Sequence, residues 1–278
     1  MWSDILSNSE AEFTQRAIES LNNVDWARPV IDRLQKAGGL KSANMPLMFE
    51  VRFAYELHRV GKSAEYEYRA GEGDSTVDFR IPGNITWLIE LVSIRASQAA
   101  KRAIKQMGLI YQQILSSDAK DVDQTEEAEM ITAEQKIGEK VFAKESPTKF
   151  PMLKDDVYHM IIIDMRGYLG GGGDQWDYTQ MAYGASGIPP QCPWYLRFWE
   201  KEPGKLEPIK GLFEKACPLQ SARLVQERIH FLGFIRERVY CEGEIPKSSC
   251  YFLNQHLLSN EAAEKAFETF PLKFIRTQ

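Results

Sequence analysis

Residues 75–95 read STVDFRIPGNITWLIELVSIR and contain the feature that decides the fold. Two runs with strand-like composition, STVDFRI and TWLIELVSI, are joined by the turn sequence PGN, and this pattern predicts a β-hairpin. The second run is apolar almost throughout, yet it carries a carboxylate, Glu90, at its centre. An ionised carboxylate inside a sheet is strongly unfavourable unless a cation or another partner compensates its charge. The sequence therefore predicts a compensating partner for Glu90.

Asp78 is the residue expected to lie opposite Glu90. With the hairpin loop centred on Asn84, both acids are equally far from the centre and meet across the two strands. Asp78 alternates with Val77 and Phe79, which places it on the polar face of its strand. Two carboxylates at this range repel each other, and a divalent cation keeps both of them ionised. We therefore predict a cation site formed by Asp78 and Glu90.

A third acid, Glu50, lies in the segment MPLMFEVRFAYELHRVG, which predicts a helix ending at Gly61. Glu50 shares the i, i+3, i+4, i+7 stripe with Phe53, Ala54 and Leu57, so it is expected to face inward. The charged residues off this stripe are expected to be solvated: Arg52, Glu56 and Arg59.

Each acid also has a simpler interpretation. Asp78 could be a solvated polar residue at the edge of a hairpin. Glu90 could form an ion pair with Arg80 or Arg52 inside the domain. Glu50 could stabilise the helix through the helix dipole alone.

The order of segments predicts an α/β fold with a mixed central β-sheet flanked by helices. AEYEYRA precedes the hairpin as another strand, and helices are predicted from about Ala96 through QAAKRAIKQMGLIYQQIL and in AEMITAEQKIGEKVFAK. VYHMIIIDM follows as a buried strand, and a right-handed crossover predicts that it pairs parallel to TWLIELVSI. We predict a single domain, 1–278, with an N-terminal helical segment 1–44, a core of about 45–165 and a C-terminal α+β elaboration 166–278.

A helix with an inward Glu, followed by strands carrying VDF and IELV, resembles the PD-(D/E)XK nuclease superfamily. The resemblance covers roughly residues 45–165 and implies a restriction-endonuclease-like core. It assigns Asp78 and Glu90 to the D and (D/E) positions and Glu50 to the acid of the preceding helix. It further implies Mg²⁺ or Mn²⁺ as cofactor, phosphodiester hydrolysis, DNA as the partner, and a homodimer as one form of assembly.

The sequence departs from this pattern at the lysine, because Val92 stands two residues after Glu90. That lysine normally positions water and offsets charge on the phosphate, and valine can do neither. A cation is therefore expected from elsewhere. Lys101 is the favoured residue, with Lys105 and Arg95 as alternatives.

Composition limits the classes of protein. The net charge of −5 argues against a protein that coats nucleic acid, although a local basic groove is compatible with it. No apolar stretch approaches the roughly 20 residues that span a bilayer, so no membrane association is expected. The start, MWSDILSNSEAEF, does not resemble a secretion signal. The four cysteines are scattered, which favours a cytoplasmic protein without disulfides or zinc.

For three other patterns, a structural interpretation is favoured over a ligand-binding one. GGGGD at residues 170–174 is expected to be a flexible loop, with no helix directly after it and no P-loop motif. The aromatic residues Trp194, Tyr195, Phe198 and Trp199 are expected to pack in a core or interface rather than stack on bases. The repeat of Lys136, Lys140 and Lys144 is expected to be a solvated helix face, with phosphate contact as the alternative.

The favoured function is a metal-dependent nuclease. The first alternative is a nuclease-like fold that has lost hydrolysis and binds nucleic acid or protein, which Val92 and the acidic net charge support. The second is an enzyme that binds a nucleotide through GGGGD and the acids.

Overall fold

The structure is a computed structural model that describes residues 6–71, 74–97, 100–101, 104–107, 110–113, 126–142, 148–185 and 209–276. Its α-helices are α1 (Asn8–Leu21), α2 (Arg28–Lys36), α3 (Met45–Arg59), α4 (Glu126–Glu139), α5 (Gln175–Tyr183), α6 (Gln220–Arg228), α7 (Glu244–Lys247) and α8 (Asn260–Phe267). Its strands are β1 (Glu65–Arg69), β2 (Thr76–Ile81), β3 (Thr86–Arg95), β4 (Ile104–Met107), β5 (Ile110–Gln113), β6 (Val157–Gly167), β7 (Phe231–Ile235), β8 (Ser249–Leu253) and β9 (Ile275–Arg276).

Seven strands form one mixed sheet in the order β1-β2-β3-β6-β7-β8-β9. The pairs β1–β2, β2–β3 and β7–β8 are antiparallel, whereas β3–β6, β6–β7 and β8–β9 are parallel. The predicted α/β fold, with a mixed sheet and flanking helices, is confirmed. The parallel pairing of β3 with β6 is also confirmed. The sheet continues past residue 165, because β7, β8 and β9 of the C-terminal elaboration extend it.

Two hydrophobic cores lie on opposite faces of the sheet. The first core contains buried side chains of α1, α2, α3 and α8, and the second contains those of α4, α5 and α6. Strand β6 alternates between them: Met160 and Ile162 pack in the first core, and Ile161 and Ile163 in the second. This is the pattern of a strand that is buried on both faces.

Helix α3 begins and ends where its sequence indicates. Pro46 lies in its first turn, where a missing amide hydrogen is tolerated. Gly61 follows the helix with a φ of 71°, a conformation that favours glycine. The amide of Lys62 then bonds back to the carbonyl of Leu57 at 2.9 Å, which completes the predicted glycine cap.

The expectation that the charged residues off the α3 stripe are solvated is wrong for two of them. Arg52 and Glu56 are each 1% exposed. Arg52 forms an ion pair with Glu237 at 2.7 Å, and Glu56 accepts a bond from the Gly243 amide at 2.6 Å. Residues of the C-terminal elaboration therefore cover the side of α3 that the sequence marks as polar.

The helix predicted from about Ala96 is also wrong over residues 104–113. Strands β4 and β5 form an antiparallel two-stranded sheet there. Among the described positions between 96 and 113, only residues 100–101 are helical. Only Gly108 and Leu109 separate the two strands in the sequence, and a two-residue connection containing glycine is a hairpin signature. The helical spacing of apolar residues masked this signature.

Candidate functional site

The β2–β3 hairpin has the register that its sequence predicts. Phe79 pairs with Ile89, and Arg80 pairs with Leu88. The paired positions end at Phe79 and Ile89, one residue short of Asp78 and Glu90, which the same register would bring opposite each other. Asp78 also reaches the backbone of β3, because its Oδ2 accepts a hydrogen bond from the Leu91 amide at 2.6 Å.

Glu90 is fully buried, at 0% exposure, and lysines compensate its charge. Its Oε1 accepts bonds from the Nζ atoms of Lys149 at 2.6 Å and Lys140 at 3.2 Å. Its Oε2 is buried and has no hydrogen-bond partner in the part of the chain that the structure describes. The alternative ion pairs do not form, because Arg80 pairs with Glu65 and Arg52 with Glu237.

Glu50 is buried and is close enough to Asp78 to feel its charge. The hydroxyl of Tyr66 donates to Glu50 Oε2 at 2.5 Å, and Arg33 Nη1 lies 3.6 Å from the same oxygen. Arg33 Nη1 also donates to the Tyr66 hydroxyl at 2.6 Å. Glu50 is therefore held by a chain of two side chains from α2 and β1. This contact set goes beyond a simple interaction with the helix dipole.

A backbone irregularity in β1 lies beside the point where the packing of β2 changes from one core to the other. Glu67 has a φ of 49°, a conformation that is strained for a residue with a side chain. On one side of it, Tyr66 and Phe79 pack in the first core, whereas Val77 packs in the second. Val77 and Phe79 therefore do not share one core, contrary to the expectation from strict alternation. Asp78 lies at the point where the packing changes from one core to the other.

The electrostatics connect the three acids. Burial, followed by the charge of Asp78, raises the pKa of Glu50 to about 7. The same two causes raise the pKa of Glu90 to about 7, even though Lys140 and Lys149 act to lower it. Burial alone would lower the pKa of Lys140, but Glu90 and Asp78 outweigh it and the pKa is raised. The site therefore holds carboxylates that exchange protons near neutral pH beside a lysine that stays charged.

Two lysines, Lys140 and Lys149, contact Glu90, and neither is the favoured Lys101. Lys101 is partly exposed, and the ammonium groups in contact with Glu90 are those of Lys140 and Lys149. The alternative Arg95 instead donates to the backbone carbonyl of Ala43 at 2.9 Å. The side chain of Lys105 lies outside the described part of the structure.

The periodic lysine pattern includes Lys140, although the interpretation that this pattern favours is a solvated helix face. Lys140 contacts Glu90, whereas Lys136 donates its Nζ to the Arg95 carbonyl at 3.1 Å. Lys144 lies outside the described residues. Lys149 comes from an irregular segment and has no periodic pattern in the sequence that could have indicated it.

The site residues suit a hard divalent cation in their chemistry. Carboxylate oxygens are the ligands that Mg²⁺ prefers, and the buried Glu90 Oε2 is free to act as one. Within the described ranges, no set of three or more His, Cys, Asp or Glu side chains converges closely enough to hold one ion. Mg²⁺ usually binds through one or two carboxylates together with water and substrate phosphates, so Asp78 and Glu90 suffice as protein ligands.

The remaining sequence patterns do not add to this site. Contrary to expectation, a helix does begin directly after GGGGD, with Asp174 as its N-cap. Asp174 accepts bonds from the amides of Trp176 and Asp177, so this helix end is capped by the chain itself. The aromatic cluster at 194–199 lies outside the described residues.

No protein-family model, curated protein or solved structure matches this chain. Among the helices that the structure describes, none combines the length and the apolar character needed to span a lipid bilayer.

Proposed function

We propose that this protein is a metal-dependent nuclease of the PD-(D/E)XK type that hydrolyses phosphodiester bonds, most plausibly in DNA. The observation that carries the proposal is the contact of Glu90 with Lys140 and Lys149 beside Asp78. Acids and a lysine are thus adjacent in space although the lysine of the sequence motif is replaced by Val92. A structural ion pair would not need a second carboxylate opposite Glu90 or a third acid at Glu50.

Asp78 and Glu90 would hold Mg²⁺ or Mn²⁺, with Glu50 at the side of the site. The ion, when bound, supplies polarisation of a phosphoryl oxygen and activation of water. Lys140 and Lys149 place positive charge where negative charge develops on the phosphate in the transition state. Glu50 has a pKa of about 7, which suits it to accept a proton near neutral pH.

The test is an incubation of the purified protein with plasmid DNA and Mg²⁺ or Mn²⁺. We expect strand cleavage that EDTA abolishes. Asp78→Asn and Lys140→Met should each reduce cleavage by about 100-fold or more, the range expected for removing one group that stabilises the transition state. Asp155→Asn, at an exposed position before β6, should leave the rate unchanged.

Thermal unfolding of each variant separates a lost site from a lost fold. Mn²⁺ should raise the melting temperature of the wild type, because a ligand that binds only the folded state stabilises it. Asp78→Asn should remove that increase. Cleavage that persists in EDTA or in Asp78→Asn would exclude the proposal.

The second candidate is a nuclease-like fold that binds nucleic acid or protein without hydrolysis. The observation in its favour is that Lys140 and Lys149 compensate Glu90 without any metal. This candidate predicts binding that persists in EDTA and in Glu90→Gln. Binding under those conditions, with no cleavage in Mg²⁺ or Mn²⁺, would select it.

A further inference from the structure

The two lysines on Glu90 are close in sequence and partly exposed. Lys140 directly follows α4, and Lys149 is tied to the same place because its amide bonds to the Val141 carbonyl at 2.7 Å. Their side chains are 33% and 24% exposed, whereas Glu90 has no exposed surface. Val141 and Lys149 are therefore joined through the backbone, and both lysine side chains reach solvent while their ammonium groups contact Glu90.

The two carboxylate oxygens of Glu90 differ in their contacts. Both ammonium groups bind Oε1, at 2.6 Å and 3.2 Å, and Oε2 has no partner among the described residues. Two ammonium groups carry the same charge as one divalent cation. Lys140 and Lys149 therefore supply at this carboxylate the charge that a metal ion would bring.

Acids outnumber bases around the site. Four carboxylates face three basic side chains, namely Glu50, Glu67, Asp78 and Glu90 against Arg33, Lys140 and Lys149. With all four acids ionised, the resting site carries a net charge of −1, which repels a phosphodiester. One divalent cation changes the net charge to +1, and Coulomb attraction then favours an anion at the same place.

We propose that Lys140 and Lys149 are placeholders for the divalent cation on Glu90, and that cation binding displaces them toward the substrate phosphate. This inference rests on the proposed function and specifies its regulation. Phosphodiester binding becomes conditional on the metal, because the same lysines neutralise Glu90 in one state and bind phosphate in the other. The site is thus protected from binding nucleic acid unproductively without its cofactor.

The first test is calorimetric titration with Mn²⁺ alone, without nucleic acid. Lys149→Met removes one competitor and leaves Lys140 on Glu90, so the variant should fold and bind Mn²⁺ about fivefold to tenfold more tightly than wild type. Lys149→Arg keeps the charge and should bind as wild type does. Lys136→Met is the matched control, because Lys136 lies on the same helix but contacts only a backbone carbonyl, and its affinity should stay within about twofold of wild type.

The second test uses a fluorescent duplex oligonucleotide in Ca²⁺ or EDTA, with strand integrity checked on a gel. Wild type should bind the duplex at least about tenfold more tightly in Ca²⁺ than in EDTA, and Lys140→Met/Lys149→Met should lose most of that difference. If the wild type binds Mn²⁺ and Lys149→Met binds it equally or more weakly, the placeholder role is refuted and the proposed function is not. Absence of Mn²⁺ binding in every variant would overturn the proposed function as well.

Discussion

Replacing Glu50 by Gln should stabilise the metal-free protein, which is the opposite of the usual effect of changing a buried side chain. The pKa of Glu50 is raised from 4.5 to about 7 by burial and by Asp78. Each pKa unit corresponds to about 1.4 kcal/mol, so the ionised carboxylate destabilises the fold by up to about 3 kcal/mol above pH 7. Glutamine removes that charge, and its carbonyl oxygen can still accept the hydrogen bond from Tyr66.

The stability difference between Glu50→Gln and the wild type should grow as the pH rises. Between pH 4.5 and about 7 the folded protein retains a proton at Glu50 that the unfolded chain has already released. The wild type therefore loses stability as the pH rises through that window, and Glu50→Gln removes the contribution of residue 50 while that of Glu90 remains in both proteins. The variant should match the wild type near pH 4.5 and exceed it increasingly up to pH 8.

The assay is thermal or urea unfolding of both proteins from pH 5 to pH 8 in EDTA. A gain of 1 kcal/mol raises the melting temperature by roughly 2–4 °C for a protein of this size, so an increase of up to about 6–12 °C is expected at pH 8. Glu56→Gln is the control, because Glu56 is buried on the same helix and bonds the Gly243 amide and Arg59. A lower stability of Glu50→Gln at pH 8, or a difference that is the same at pH 5, would refute the electrostatic reasoning.

Three further predictions concern parts of the fold around the site. At Glu67, where φ is 49°, substitution by Gly should be tolerated, whereas Val should destabilise the protein by about 1–2 kcal/mol or more in urea unfolding. Burial lowers the pKa of His159 to about 4. Burial and the neighbouring His159 lower the pKa of His230 to about 3. The unfolded chain therefore binds protons that the folded protein does not, and stability should fall as the pH drops from 6.5 toward 4. His230→Asn should reduce that slope by up to about 1.4 kcal/mol per pH unit, and an unchanged slope would contradict the assignment. Arg52→Met leaves the Glu237 carboxylate buried without its partner and should cost about 3–5 kcal/mol, of which Arg52→Met/Glu237→Gln should recover a large part in a double-mutant cycle.

Most of the sheet could be predicted from the sequence because its signals are local. The short PGN turn fixes the register of β2 against β3, and this register brings Asp78 and Glu90 to the positions just beyond the last pair, Phe79 and Ile89. The apolar run of β6, preceded by helical segments, gives the parallel crossover onto β3. Residues 104–113 are predicted wrongly because they carry helical spacing and a hairpin signature at once, and local patterns do not decide between them.

The partners of the charged residues could not be predicted in the same way. Glu90 lies 50 residues from Lys140 and 59 from Lys149 in the chain, and Arg52 lies 185 residues from Glu237. A periodic pattern shows which face of a helix is polar, but not which element covers that face. For this reason the sequence indicates solvent around Lys140 and favours Lys101 as the cation beside Glu90, whereas the structure places Lys140 there.

The sequence by itself determined that an acid lies inside a buried strand of a mixed sheet, that a second acid faces it, and that a third lies on the preceding helix. These follow from side-chain direction along a single strand or helix, which local backbone geometry fixes. Only the tertiary structure decided which cations compensate these acids, since an ion pair forms wherever packing brings two charges within about 4 Å, whatever their separation along the chain.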